Sequence, residues 1–354
     1  MAAAIIEYAC AELPTLGVDE RARLAAGPID PAEHDRLVET LVAFDRVEVV
    51  PPAAPATAPD GAVRVAAWNM ERAKYLAPSA RLLADVRADV ALLCEMDLGM
   101  ARSGQHHTTR LLAGELGHGH VFGVEFVELD LGDARERDWH AGEANRHGLH
   151  GAAILSPHEL ARPAMIRLER DGRWFDGSRG ERRIGGRIAL AATLELPQFD
   201  LACVSVHFES HSDPAHRAEQ MTVLLDAIDA YHGAGPVVLG GDFNTMTASW
   251  DEVHIAPGKD ALLAEDPQRL ADPARYEPMF DVAVARGYDW AAANTAEPTQ
   301  RTRPDGTPQP PHARIDWFFT RGLEASDPAT VPAVDSAGTA ISDHDLLAVT
   351  VRPR

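Results

Sequence analysis

Lysine is nearly absent from this 354-residue chain. Only Lys74 and Lys259 occur, so arginine supplies 31 (33 − 2) of the 33 basic side chains, against 54 acidic ones and a net charge of −21. A broad cationic surface for duplex DNA is thereby disfavoured, because such affinity comes mainly from Lys and Arg on phosphates. No basic stripe interleaved with aromatics is present either, which speaks against a single-strand binder. Cysteine is also scarce. Cys10, Cys94 and Cys203 form an odd set without paired spacing, which excludes a disulfide frame or a thiolate zinc site and leaves small buried residues. No stretch is long and apolar enough to cross a bilayer. The opening MAAAIIEYACAELP lacks the basic start and long apolar run of a signal peptide, so the expected compartment is the cytoplasm. Tandem repeats are missing too.

What remains is ordinary globular composition, 45% apolar and 25% charged, enough for one large domain or two small ones. Residues 1–60 read as an N-terminal extension. A helix is expected over AEHDRLVETLVAF, where Leu37, Leu41, Val42 and Phe44 recur at helical spacing. A short VEVV run follows, then PPAAPATAPDG, a linker whose prolines sustain neither ladder nor helix. Residues 61–354 read as the catalytic domain. Apolar β-rich runs appear there at VRVAAWN, DVALLCE, HVFGVEF, GAAILS, RIALAATLEL, LACVSVHF, PVVLGG, RIDWFFT and LLAVTVR. Helical patterns separate several of them: SARLLADVRA, with Ser79 as its expected cap, and DPAHRAEQMTVLLDAIDAY, with Asp213 before Pro214. Strands that alternate with helices but also run consecutively imply mixed α/β layers.

The polar residues that matter fall at strand ends. VRVAAWN stops in Asn69, DVALLCE in Glu95 and LACVSVH in His207. PVVLGGDFN reaches Asp242 and Asn244 across Gly240-Gly241, a pair that lets backbone approach a ligand. SDHDLLAVTV sets Asp343 and His344 before the last strand. Taken singly, an Asn at a strand end is a turn former and an Asp-His pair before a strand is a loop. Asp316 within RIDWFF is harder to dismiss, since an acid in a buried strand is costly unless paired. Six such endings together favour chemistry over chance.

In this order, WN at 68–69, the Glu of LLCE, VH at 206–207, GDFN at 241–244, RIDWFF at 314–319 and SDH at 342–344 resemble the endonuclease/exonuclease/phosphatase superfamily. The resemblance implies a four-layer α/β sandwich: two mixed β-sheets face to face, helices outside, and catalytic loops along one edge. It further implies Mg²⁺ or Mn²⁺ held by Asn69 and Glu95, with Asp343 near the metal and Glu71 either a further ligand or simply solvated. Asp242 would orient or deprotonate the attacking water, and Asn244 would donate to phosphoryl oxygens. His344, oriented by Asp316, would stabilise the pentacovalent charge, while His207 would contact phosphate or protonate the leaving group.

Weaker signals remain open. Arg162 to Arg187 holds eight arginines against Glu169, Asp171, Asp176 and Glu181. It reads as a solvated hairpin or as a phosphate-gripping loop that would bring Arg187 to substrate. His106, His107, His118 and His120 flank TTRLLAGEL without a Cys or carboxylate to complete a metal site. His147 and His150, in NRHGLHGAAILS, sit where the superfamily places a substrate-side loop, which implies that one of them contacts substrate. The expected activity is a metal-dependent phosphoesterase acting on a phosphorylated small molecule or lipid. A nuclease and a non-catalytic binding protein are the alternatives, and no protein partner is inferable.

Overall fold

The computed structural model describes residues 4–301 and 313–354; the first three residues of the N-terminal stretch lie outside that range. In chain order the strands are β1 (Ile5–Ile6), β2 (Ala9–Cys10), β3 (Val47–Val50), β4 (Val63–Asn69), β5 (Val90–Leu98), β6 (Gly119–Glu128), β7 (Leu149–Ser156), β8 (Ala161–Arg167), β9 (Arg183–Gly185), β10 (Ile188–Glu195), β11 (Asp200–His207), β12 (Val237–Asp242), β13 (Asp316–Arg321), β14 (Leu323–Val331) and β15 (Leu346–Pro353). They form two mixed sheets. One runs β1-β8-β10-β11-β12-β13, the other β14-β15-β4-β5-β7-β6-β3-β2, with β9 paired to β6.

Alternation along the strands explains the layering. In β4, Val63, Val65 and Ala67 point into the core between the sheets, while Ala66 and Trp68 face the opposite way. In β12, Val238 joins the inter-sheet core, and Val237 and Leu239 face a third cluster. Central strands apolar on both faces require cover on both. Helices Leu76–Val86 and Thr108–Leu116 cover the larger sheet through Leu83 and Leu112, and Pro214–His232 and Met279–Ala285 cover the smaller through Met221, Leu224 and Phe280. The four-layer sandwich expected from the sequence is the observed architecture.

Topology gathers one edge. β4 runs parallel to β5, and β11 parallel to β12, so their ends emerge together. β13 is antiparallel to β12, which sets its first residue, Asp316, opposite Asp242; His207 lies opposite Asp242 from the other side. β15 is antiparallel to β4, so the Asp343–His344 turn enters beside the end of β4.

Several expectations are corrected. Ser79 lies inside the helix Leu76–Val86, which begins after Tyr75 without a side-chain cap; Asp213 does cap Pro214–His232, accepting from His216 N. The AEHDRLVETLVAF helix ends at Thr40, and Val42–Phe44 is a separate 3₁₀ turn. Residues before the Pro-rich stretch are woven into both sheets: β1 pairs β8, β3 pairs β6 and β2 pairs β3. Gly240 and Gly241 make room for protein rather than ligand. A Cβ on Gly241 would lie 2.1 Å from Val206 O, and one on Gly240 would lie 2.6 Å from the Phe318 ring.

Candidate active site

Eight of the strand-end residues converge along this edge. Asn69 Nδ2 donates to Glu95 Oε1 at 3.1 Å and to Asp242 Oδ2 at 3.2 Å. Glu95 sits on a bulge in the β5–β7 ladder with φ 56°, a left-handed conformation that turns its side chain out of the strand alternation at some cost in strain. Asn244 (φ 49°) folds back so that its N–H donates to Asp242 Oδ1 at 2.8 Å and its Nδ2 to Phe208 O at 2.9 Å. His344 Nδ1 lies 2.8 Å from Asp316 Oδ2, which also accepts from Thr299 Oγ1 at 2.5 Å. The Nε2 atoms of His207 and His344 are each 3.8 Å from Asp242 Oδ2. Ser342 Oγ donates to Asn69 O at 2.7 Å and Trp68 Nε1 to His344 O at 2.8 Å, which ties the last turn to β4.

The electrostatics divide the edge. Burial pushes Asp242 above the usual carboxylate range, assisted by neighbouring Asp316 and opposed by the two imidazoles. Burial and the nearby Glu71 and Glu95 push Asp343 up to about 6, with His344 and Arg72 opposing. For His344 burial disfavours the charged form, yet Asp316, Asp343 and Asp242 together hold it well above the ordinary imidazole range. Burial works against Glu95 as an anion too, but Arg72, His207 and His150 hold it well below the usual range.

Glu71 is paired with Lys74 at 2.7 Å and shapes the charge on Asp343. His150 and Arg187 are as buried as the catalytic candidates, 3% and 4% exposed against 2% for both His207 and Asp242. His150 Nδ1 contacts Asp97 Oδ1 at 2.7 Å, and Arg102 grips the same carboxylate with Nε and Nη2. Arg187 is anchored by Glu125 at 2.5 Å and Glu209 at 3.1 Å while its Nη1 contacts the His207 ring. The Arg162–Arg187 segment is not uniformly solvated: Arg167, Arg183 and Arg187 are buried, while Arg162 and Arg170 are exposed. His107 and His120 do have a carboxylate partner, Glu48, at 2.9 and 3.0 Å.

Sequence reasoning missed Arg72, which donates to Glu95 Oε2 at 2.7 Å, as well as Glu125, Asp97 and Thr299. The rule that singled out Asp316 applies equally to Glu125 in HVFGVEF and Asp97 in CEMDL, each a lone acid in an apolar run. Arg72 carried no such signal.

Residues 66–344 match the model of the endonuclease/exonuclease/phosphatase family. The chain belongs to this family. Similar solved structures are an endonuclease/exonuclease/phosphatase from Beutenbergia cavernae DSM 12333 (19% identity, 83% of this chain and 72% of that one, TM-score 0.52) and one from Bacteroides vulgatus (16% identity, 83% and 100%, TM-score 0.53). At such identities the likeness concerns the fold. No curated protein matches the chain. Like the rest of this endonuclease/exonuclease/phosphatase family, the chain has a hydrolase fold whose named activities cleave phosphoester bonds. No helix among the described residues is long and apolar enough to cross a membrane.

Proposed function

We propose that this protein is a divalent-metal-dependent hydrolase of a phosphomonoester or phosphodiester, acting on a small or lipid-linked phosphoester rather than duplex DNA. The position of Asp242 carries the reading: one carboxylate oxygen meets the Asn69 amide at 3.2 Å and lies 3.8 Å from each of two imidazoles. A raised carboxyl at that point is a competent proton acceptor for an attacking water. His344, held cationic by Asp316, faces the charge that develops on the phosphoryl group. Asn244 gives one Nδ2 hydrogen to Phe208 O and keeps the second for a phosphoryl oxygen. His207 contacts phosphate or protonates the leaving oxygen, and Arg187, whose Nη1 contacts the His207 ring, and His150 are the further substrate-contact candidates.

Mg²⁺ or Mn²⁺ fits the donors at the other end. Asn69, Glu95, Asp343 and Glu71 offer hard oxygen ligands and no thiolate. Asp343 Oδ1 is buried without a hydrogen-bond partner, and burial, with Glu71 and Glu95 nearby, pushes its pKa up to about 6, a penalty on the carboxylate that a bound dication relieves. When bound, such an ion neutralises phosphate charge and assists the leaving oxygen. Residues 61–354 would form the catalytic unit, with residues 1–60 bracing it.

The test is a Mg²⁺/Mn²⁺ screen against nucleotides, inositol phosphates, phospholipids, nucleic acids and a bis-aryl phosphodiester. Preferred turnover of nucleic acid would establish the nuclease alternative. Binding without any turnover would establish the non-catalytic one.

A further inference from the structure

One of the two lysines lies in a small pocket beside the site. Lys259, Arg269 and Arg314 line a cavity of about 30 Å³ together with Thr245, Thr247 and apolar side chains. Among the described residues no carboxylate lines it, on a chain that is negative by 21. Among the described residues none of the three cations forms an ion pair. Lys259 Nζ donates to Gln300 Oε1 at 2.9 Å, and Arg269 Nη1 donates to Thr247 O at 2.6 Å. Arg314 stacks 3.9 Å from the Trp317 ring centre, and its Nε is buried without a partner among the described residues. The other lysine, Lys74, is paired with Glu71.

The pocket adjoins the catalytic edge. Thr245 follows Asn244, Arg314 stands two residues before Asp316, and Gln300 is bridged to His344. Its volume is roughly twice what one water requires, which suits one tetrahedral oxyanion and not a sugar or a base. Arg314 also donates through Nη1 to Thr295 O; three cations lining one cavity, with the Arg314 Nε–H still unused, suit an oxyanion, since charge-assisted bonds are the strong ones.

We propose that this pocket is an oxyanion subsite that receives a second phosphoryl group of the substrate, next to the one cleaved. Its role in turnover rests on the phosphoesterase reading; its capacity to bind phosphate does not. Burial pushes Lys259 down to about 8 and Arg314 down to about 10, with Asp260 and Asp272 acting weakly in the opposite sense. An anion in the pocket would restore both.

Two measurements on the Mg²⁺-loaded full chain test this, on wild type and on Lys259→Gln and Arg269→Gln, with melting temperature as the check on folding. In the first, calorimetric binding of inorganic phosphate is expected to weaken about tenfold in each variant, the loss of one charge-assisted bond. Phosphate binding that both folded variants retain at wild-type strength overturns the site. In the second, kcat/KM is compared for thymidine 5′-(p-nitrophenyl phosphate) and its 3′-phosphorylated counterpart. The added phosphoryl group is expected to raise kcat/KM in the wild type, and that advantage to shrink about tenfold in the variants. Weakened phosphate binding without any such advantage assigns the pocket to free phosphate and overturns the substrate subsite. Absence of turnover on both esters counts against the phosphoesterase reading, and the calorimetric arm still decides the pocket.

Discussion

Replacing Asp242 by asparagine removes the charge at the centre of the site, and the geometry sets what else it removes. Both carboxylate oxygens are acceptors: Oδ1 from Asn244 N at 2.8 Å and Oδ2 from Asn69 Nδ2 at 3.2 Å. An asparagine can face only one of these donors with its oxygen, so either orientation sets N–H against N–H in a site 2% exposed. The expected folding cost is about 1–3 kcal/mol for the stranded donor, reduced because a carboxyl that burial pushes upward no longer has to ionise. At about 2.1 cal/mol/K of unfolding entropy per residue, a chain of 354 residues then loses roughly 1–4 °C in Tm. Loss of a positioned acid–base group lowers kcat by roughly 10²–10⁴-fold. Steady-state kinetics at saturating metal, alongside thermal melting, separate the two effects. A variant that turns over its best substrate at near wild-type kcat refutes the proposed role of Asp242, whatever its melting temperature.

Asp316→Asn keeps an acceptor for Thr299 or His344 but withdraws the charge that holds His344 cationic. Turnover is therefore expected to decline at a lower pH than in the wild type, and identical pH–rate profiles would contradict the pairing. Glu95→Gln exchanges a charged ligand for a neutral one; the metal concentration for half-activity should rise severalfold with kcat at saturation largely kept, which a metal titration checks. Glu48 gathers Leu13 N, His107, His120 and Arg110. Burial opposes its charge, but the imidazole hydrogen bonds hold its carboxyl far below the ordinary 4.5, while burial lowers His107 from 6.5. Both shifts are depressions, so their contribution is present above the ordinary values and lost as pH falls: first below 6.5 as His107 is forced to charge, then below 4.5. Glu48→Gln should lower stability at pH 7 by about 1–3 kcal/mol and flatten the acid limb of a denaturant-melt series; an unchanged limb would argue against Glu48 as the brace.

The family, the four layers and the eight strand-end residues that cluster at one edge were legible in the amino-acid string, because each begins as a local signal. An apolar run that stops in a polar side chain is visible in seven residues, as in VRVAAWN, and a run apolar on both faces announces a covered strand. Asp213 before Pro214 marks a helix start for the same reason. Local reading went astray where distant chain decided the outcome. Ser79 looked like a cap, but the helix starts earlier, at Leu76. The arginines of 162–187 looked solvated, yet Glu125, Glu128 and Glu209 from other strands draw Arg183 and Arg187 inward. His107 and His120 lacked a carboxylate until the N-terminal segment entered the larger sheet and brought Glu48 to them. Partners far apart in the chain are supplied only by folding. His150 meets Asp97, and Arg187 meets Glu125, Glu209 and the His207 ring, because strand register across the sandwich brings these partners together. The same holds for the cationic pocket, where residues 259, 269 and 314 are neighbours only because the loop after β12 folds back against the start of β13.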